Sequence, residues 1–107
     1  MSKIEQNYSL VYQELPQTPY TVVGGALGWI NTDVSAVIPA DAAAVAIVAA
    51  PAAAQDVGAR YPGSAVTPNF GVLQQCLLIC GIDASQSIDL YRAVANNVYT
   101  ITGFFYR

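Results

Sequence analysis

The sequence predicts an all-β protein, a two-sheet sandwich of about eight short strands with a jelly-roll-like arrangement. Three observations carry that prediction. Apolar and polar residues alternate with period two in several short runs, as in Trp29 to Val34 and Ser87 to Arg92. Turn signals recur between these runs, at Gly24-Gly25, Pro62-Gly63-Ser64 and Ala95-Asn96-Asn97. The chain has 107 residues, of which 54% are hydrophobic and only 10% charged. That is long enough for one compact core but poor in the charges that keep a lone surface wet, since soluble domains carry about 25%.

The elements follow in chain order. Met1 to Asn7 reads as an N-terminal arm, and residues 8–107 as one sandwich domain. Strands are expected near Ser9–Gln13 and Tyr20–Val23. In the strand Trp29–Val34, Ile30, Thr32 and Val34 share one side. Ser35 to Asp41 forms a turn, with room for a single helical turn.

The run Ala42 to Gln55 poses a choice, because it is uncharged and mostly alanine, the best helix former. It is too short to span a membrane, which takes about 20 apolar residues, and it contains Pro51. Val45, Ile47 and Val48 make a poor helical stripe. Alternation places Val45, Ile47 and Ala49 on one side and Ala44, Ala46 and Val48 on the other, so a strand over Ala43–Ala50 is favoured over a helix. Further strands are expected at Val57–Tyr61, Val72–Ile82, Ser87–Ala93 and Val98–Tyr106, with Ser64 to Phe70 as a loop.

The order of these pieces resembles a known type of module. The stretches Trp29-Ile30-Asn31-Thr32-Asp33-Val34-Ser35-Ala36-Val37-Ile38-Pro39, Ala42 to Ala50, Val57-Gly58-Ala59-Arg60-Tyr61-Pro62-Gly63-Ser64 and Tyr99-Thr100-Ile101-Thr102-Gly103-Phe104-Phe105 are similar to the small β-sandwich modules of phage virion proteins, in capsid decoration and tail fibres. The resemblance covers residues 29 to 105 and implies a virion location. With only a short arm beside the module, it implies a capsid decoration or cement subunit that stabilises the shell by multivalent protein–protein contacts. Its partners would be further copies of itself, trimers included, and the major capsid protein or another virion protein. The alternative is a receptor- or glycan-binding module of a tail fibre or spike.

Residue chemistry points to few other functions. The chain has no histidine, which removes the commonest general base and metal ligand. Lys3, Arg60, Arg92 and Arg107 are scattered, unlike a nucleic-acid surface. Met1 to Gln13 lacks the apolar core of a signal peptide. Asp33, Asp41, Asp56, Asp83 and Asp89 are candidates for an acid–base pair, but most adjoin turn signals, where aspartate bonds its own backbone. Asp83 and Ser85 offer too few oxygens for calcium, and Gly24 to Gly28 lacks a P-loop lysine. Cys76 and Cys80, four apart on a strand, sit about 13 Å apart and cannot form a disulfide with each other; they read as small buried hydrophobes. No enzyme activity, cofactor, metal or membrane contact is expected.

The expected interface lies in the aromatic residues. Phe104 and Phe105 are adjacent on a strand and so face opposite sides of a sheet; one must look away from the core. With Tyr106 and the arm residues Ile4, Tyr8 and Tyr12, they form the predicted subunit contact. The arm itself, if not docked within its own chain, would lie on a neighbour or extend a sheet edge.

Overall fold

The computed structural model describes residues 11–21, 27–49, 54–93 and 98–106, with backbone alone for 16–21 and 98. Nine strands occur among them and no helix. They are β1 (Val11–Thr21), β2 (Gly28–Asp33), β3 (Ala42–Ala49), β4 (Gln55–Val57), β5 (Ala59–Arg60), β6 (Asn69–Val72), β7 (Cys76–Gly81), β8 (Ser87–Arg92) and β9 (Val98–Tyr106). All pairings are antiparallel. One sheet has the order β1-β9-β3-β7, a second β2-β8-β5, and a two-stranded ribbon pairs β4 with β6.

The alanine-rich run is a strand, held between β9 and β7. Its alternation is the one expected: Val45, Ile47 and Ala49 are buried in the core, opposite Cys80, Leu78 and Cys76 of β7. From the second sheet, Ile88 and Leu90 of β8 and Ala59 of β5 enter the same core. Each fully buried Val, Ile or Leu contributes about 1.5–3 kcal/mol. Between β2 and β3, Ile38 N–H donates to Val34 O at 2.9 Å, a single helical turn. Val34 and Ile38 from that turn are both fully buried.

Three expected boundaries are corrected. The two strands expected at Ser9–Gln13 and Tyr20–Val23 are one strand in the described residues, continuing through Pro16 and Pro19; Ser9, Leu10, Val22 and Val23 lie outside them. β1 is an edge strand, and its register with β9 breaks between Glu14 and Thr18, so prolines without an N–H can sit there. The strand expected over Val57–Tyr61 splits at Gly58, β4 pairing with β6 and β5 with β8. The strand expected over Val72–Ile82 is cut by exposed Leu73, Gln74 and Gln75, because β6 and β7 belong to different sheets and the chain must cross between them.

Gly58 stands where three elements meet. Its N–H donates to the Tyr99 hydroxyl at 3.3 Å, and its carbonyl accepts from Tyr91 N at 2.9 Å. The Tyr99 hydroxyl in turn donates to Tyr91 O at 2.5 Å. A Cβ at Gly58 would lie 2.9 Å from the Trp29 ring and 3.2 Å from Pro68 Cα, so only glycine fits. Tyr99, fully buried, thus ties β9 of one sheet to the backbone of the other.

Burial makes two groups of this core weaker acids. It pushes the Tyr99 hydroxyl from its ordinary 10.0 up to about 12, against the lowering effect of the Gly58 N–H. Burial, and then the Asp89 carboxylate, push the Cys80 thiol from 9.0 up to about 12. Both groups are neutral in the fold and ionise more easily once unfolded. Their stabilisation is therefore full below about pH 9 and lost as pH rises towards 12. The urea midpoint is expected to fall steadily over that range, and a Cys80→Ala, Tyr99→Phe variant to show a flatter profile than the parent. Parallel profiles for the two proteins would contradict this.

Candidate interaction surface

The outer side of the four-stranded sheet, turned away from the core, is largely apolar, with Thr100 beside Val48 as a polar residue in its middle. Register places Tyr12 beside Phe105, Phe105 beside Ala44, Gly103 beside Ala46, Ala46 beside Ile79 and Val48 beside Leu77. The middle of this face holds small residues, Ala44, Ala46 and Gly103, of which Ala46 and Gly103 are buried. One margin is aromatic and the other aliphatic: Leu77 is 62% exposed and Ile79 56%. Among the described residues, the charged side chain that register puts on this face is Glu14, on β1 opposite Gly103.

Tyr12 lies across Gly103. Its ring is 5.1 Å from the Phe105 ring between centroids, and its hydroxyl donates to Thr102 O at 3.2 Å. A Cβ on Gly103 would meet the Tyr12 hydroxyl and come within 2.6 Å of its ring carbons. Gly103→Val is therefore expected to swing Tyr12 outward and to cost about 1 kcal/mol, the worth of an aromatic pair. Urea unfolding of Gly103→Val, Tyr12→Ala and the double variant checks this. The two losses should not add, because both remove one contact.

The predicted contact residues divide between the two sides of the sheet. Tyr12 and Phe105 stand together on the outer side. Phe104 is buried in the core, and Tyr106, 5.7 Å from it between ring centroids, packs against the core margin. Ile4 and Tyr8 lie outside the described residues. Leu77 and Ile79 were marked in the sequence only by their alternation with Cys76, Leu78 and Cys80, which face inward. The two thiols drew attention to that segment, whereas its exposed residues are the ones between and beside them.

The outer side of the second sheet is polar and closed on itself. Trp29 and Asn31 of β2, Asp89 and Tyr91 of β8, and Arg60 of β5 share it by register. Arg60 Nε lies 2.9 Å from Asp89 Oδ2, with side chains 17% and 8% exposed. Gly63 N–H donates to the same oxygen at 3.1 Å, and Asn31 Nδ2 to Oδ1 at 3.3 Å. Arg60 also donates to Ser64 O at 2.7 Å and stacks 4.2 Å over the Trp29 ring, which meets Tyr91 edge-on. The stretch Arg60-Tyr61-Pro62-Gly63-Ser64 is thus a turn that folds back to grip Asp89. Burial raises the Asp89 carboxyl, but the Gly63 N–H, Arg60 and Asn31 together outweigh it and hold it below its ordinary 3.8.

The other aspartates with resolved partners shape loops. Asp33 accepts from Ser35 N at 2.8 Å, Asp83 from Ser85 N at 3.0 Å and Ser87 N at 2.9 Å, and Asp56 from Gly71 N at 3.0 Å. The last bond supports Gly71 at φ 62, a left-handed position in β6 that favours glycine.

No family model matches this chain, and neither a curated protein nor a solved structure shows significant similarity to it.

Proposed function

We propose that this chain is a structural protein of a phage particle, a capsid decoration or cement subunit that stabilises the shell through many weak contacts. The observation that carries the reading is the outer face of the β1-β9-β3-β7 sheet, largely apolar from Tyr12 to Ile79. A contiguous apolar face of this kind marks a protein-contact site. Repeated copies on a lattice engage such faces together, each bound copy raising the local concentration for the next contact. Its partners are further copies of the chain and the major capsid protein.

The strand order supports a jelly-roll sandwich. If β4 and β5 are one strand interrupted at Gly58, the second sheet and the ribbon join in the order β2-β8-β5/β4-β6. Eight strands then follow the double Greek-key sequence of jelly rolls, an architecture of viral capsid and lectin domains, and change sheet at every connection but the one from β4/β5 to β6. Fold alone does not choose between those two classes; the apolar outer face supports the first.

Particles of the virus encoding the chain, purified with and without it, test the proposal. Particles bearing it should withstand several degrees more heating before releasing their contents. Leu77→Lys, Ile79→Lys should leave the unfolding free energy of the dilute, unassociated chain within about 0.5 kcal/mol of the parent, as surface changes do, yet lower particle occupancy. Absence of the chain from purified capsids and tails would refute it.

Phe70 favours the second reading, a glycan-binding module of a fibre or spike. It is 71% exposed on β6, next to exposed Asn69, where a sugar could stack. A glycan array with the parent and Phe70→Ala separates the readings: one sugar bound by the parent and lost in the variant supports the fibre module.

A further inference from the structure

We propose that β7 pairs antiparallel, about a two-fold axis, with β7 of a second copy, merging two four-stranded sheets into one of eight. The inference draws its partner, a copy of the same chain, from the assembly reading above.

The two edges of the sheet are built differently. β1 is defended: it carries Pro16 and Pro19, exposed Glu14 and a register break. Proline, charge and bulges are the devices that keep an edge from pairing. β7 has none of them. Cys76-Leu77-Leu78-Ile79-Cys80-Gly81 is free of charge and proline, runs in unbroken register on β3, and has no strand on its other side among the described residues. An edge left open in this way is a template for another strand.

Backbone phase and pleat then specify the partner. Ile82 N–H donates to Ala43 O just beyond the β7–β3 ladder, at 3.3 Å. In an antiparallel ladder the backbone groups of alternate residues turn towards the same neighbour. Cys80, Leu78 and Cys76 therefore aim at β3, and Leu77, Ile79 and Gly81 aim their N–H and C=O outward. Leu77 and Ile79 also carry the exposed side chains. A strand added here must set outer residues opposite outer residues, because a one-residue slip would turn Leu77 and Ile79 against inward groups. The Tyr61 ring already lies beside Gly81, within 3.4 Å of where a Cβ would stand, which leaves residues 76–80 for the contact. A two-fold centred on Leu78 meets all these conditions. Leu77 then faces Ile79 of the second copy, and Ile79 faces Leu77 of the second copy, each pair exchanging two hydrogen bonds. The same sequence satisfies both sides, which is what an isologous contact requires.

Amide hydrogen exchange on the unaltered chain tests this. In a monomer the Leu77 and Ile79 amides face solvent and exchange freely, while Leu78 and Cys80 are protected by β3. Pairing should slow Leu77 and Ile79 at least tenfold at high protein concentration relative to low. Fast exchange at both positions across all concentrations would overturn the proposal. Register is tested by mixing copies carrying Leu77→Cys with copies carrying Ile79→Cys, both in a Cys76→Ser, Cys80→Ala background, under a mild thiol oxidant. Directly opposed residues have Cα atoms about 5.5 Å apart, within disulfide reach. Cross-linking should be several-fold greater in the mixture than in either variant alone; equal yields would overturn the Leu78-centred pairing. Neither experiment involves a capsid. Loss of β7 pairing with normal particle occupancy would sink this inference alone, and paired β7 in a chain absent from particles would sink only the virus reading.

Discussion

Arg60→Ala is expected to remove up to about 3–5 kcal/mol, the cost of leaving one partner of a buried ion pair alone, with the partly buried position of Arg60 setting the lower side of that range. Domains of this size hold about 5–15 kcal/mol in all, so the variant should be marginal at room temperature. Arg60 is linked to much of the outer side of the second sheet: it neutralises Asp89, holds Ser64 O and covers Trp29. Without it the Asp89 carboxylate keeps, among the described residues, Asn31 and the Gly63 N–H. Asp89→Ala should cost a similar amount, and the double variant clearly less than the sum, since neither orphan then remains. The pair also has an acid signature. The Asp89 carboxyl lies below its ordinary value in the fold, so its stabilisation is present above about pH 4 and lost as pH falls through the lowered value. Urea midpoints between pH 2 and 7 should show that loss in the parent and a shallower one in Arg60→Ala. A loss below about 1 kcal/mol would place the pair with ordinary surface salt bridges.

Tyr99→Ala should be at least as damaging, at about 3–5 kcal/mol for the lost aromatic volume alone. Tyr99→Phe isolates the hydroxyl. It keeps the ring in the core but leaves the Gly58 N–H and the Tyr91 carbonyl without the Tyr99 oxygen. A buried polar group left unpaired costs about 1–3 kcal/mol, so the phenylalanine variant should lose about 2 kcal/mol with its strand content unchanged. Chemical denaturation checks the size, and circular dichroism checks the fold. A neutral Tyr99→Phe would mean that the tie between β9 and Gly58 contributes no stability, and that close packing alone explains the glycine.

The strands best seen in the sequence are those with one apolar side. In β3, Val45, Ile47 and Ala49 declare the core face although alanine favours helix, and in β8 Ile88 and Leu90 do the same. Period two reveals which residues share a face. It does not reveal which partner a strand joins, so Val57–Tyr61 and Val72–Ile82 each read as continuous, while the first changes partner at Gly58 and the second crosses between sheets at residues 73–75. The candidate contact surface was half legible for the same reason. The opposition of Phe104 and Phe105 follows from adjacency, but Tyr12 resting on Gly103 and Leu77 standing level with Val48 follow from pairings between residues 29 to 91 positions apart. Arg60 and Asp89, 29 residues apart, gave no sign of their pairing beyond the turn-forming Pro62-Gly63-Ser64.

What the amino-acid order determined by itself is the all-β character and the inward or outward side of most strands, because alternation is local and the pleat enforces it. Tertiary structure alone decided the strand partners, the split at Gly58 and the place of β7 at a sheet edge among the described residues. Those depend on long-range pairing and on a ring, Tyr99, reaching across the core to a backbone 41 residues away.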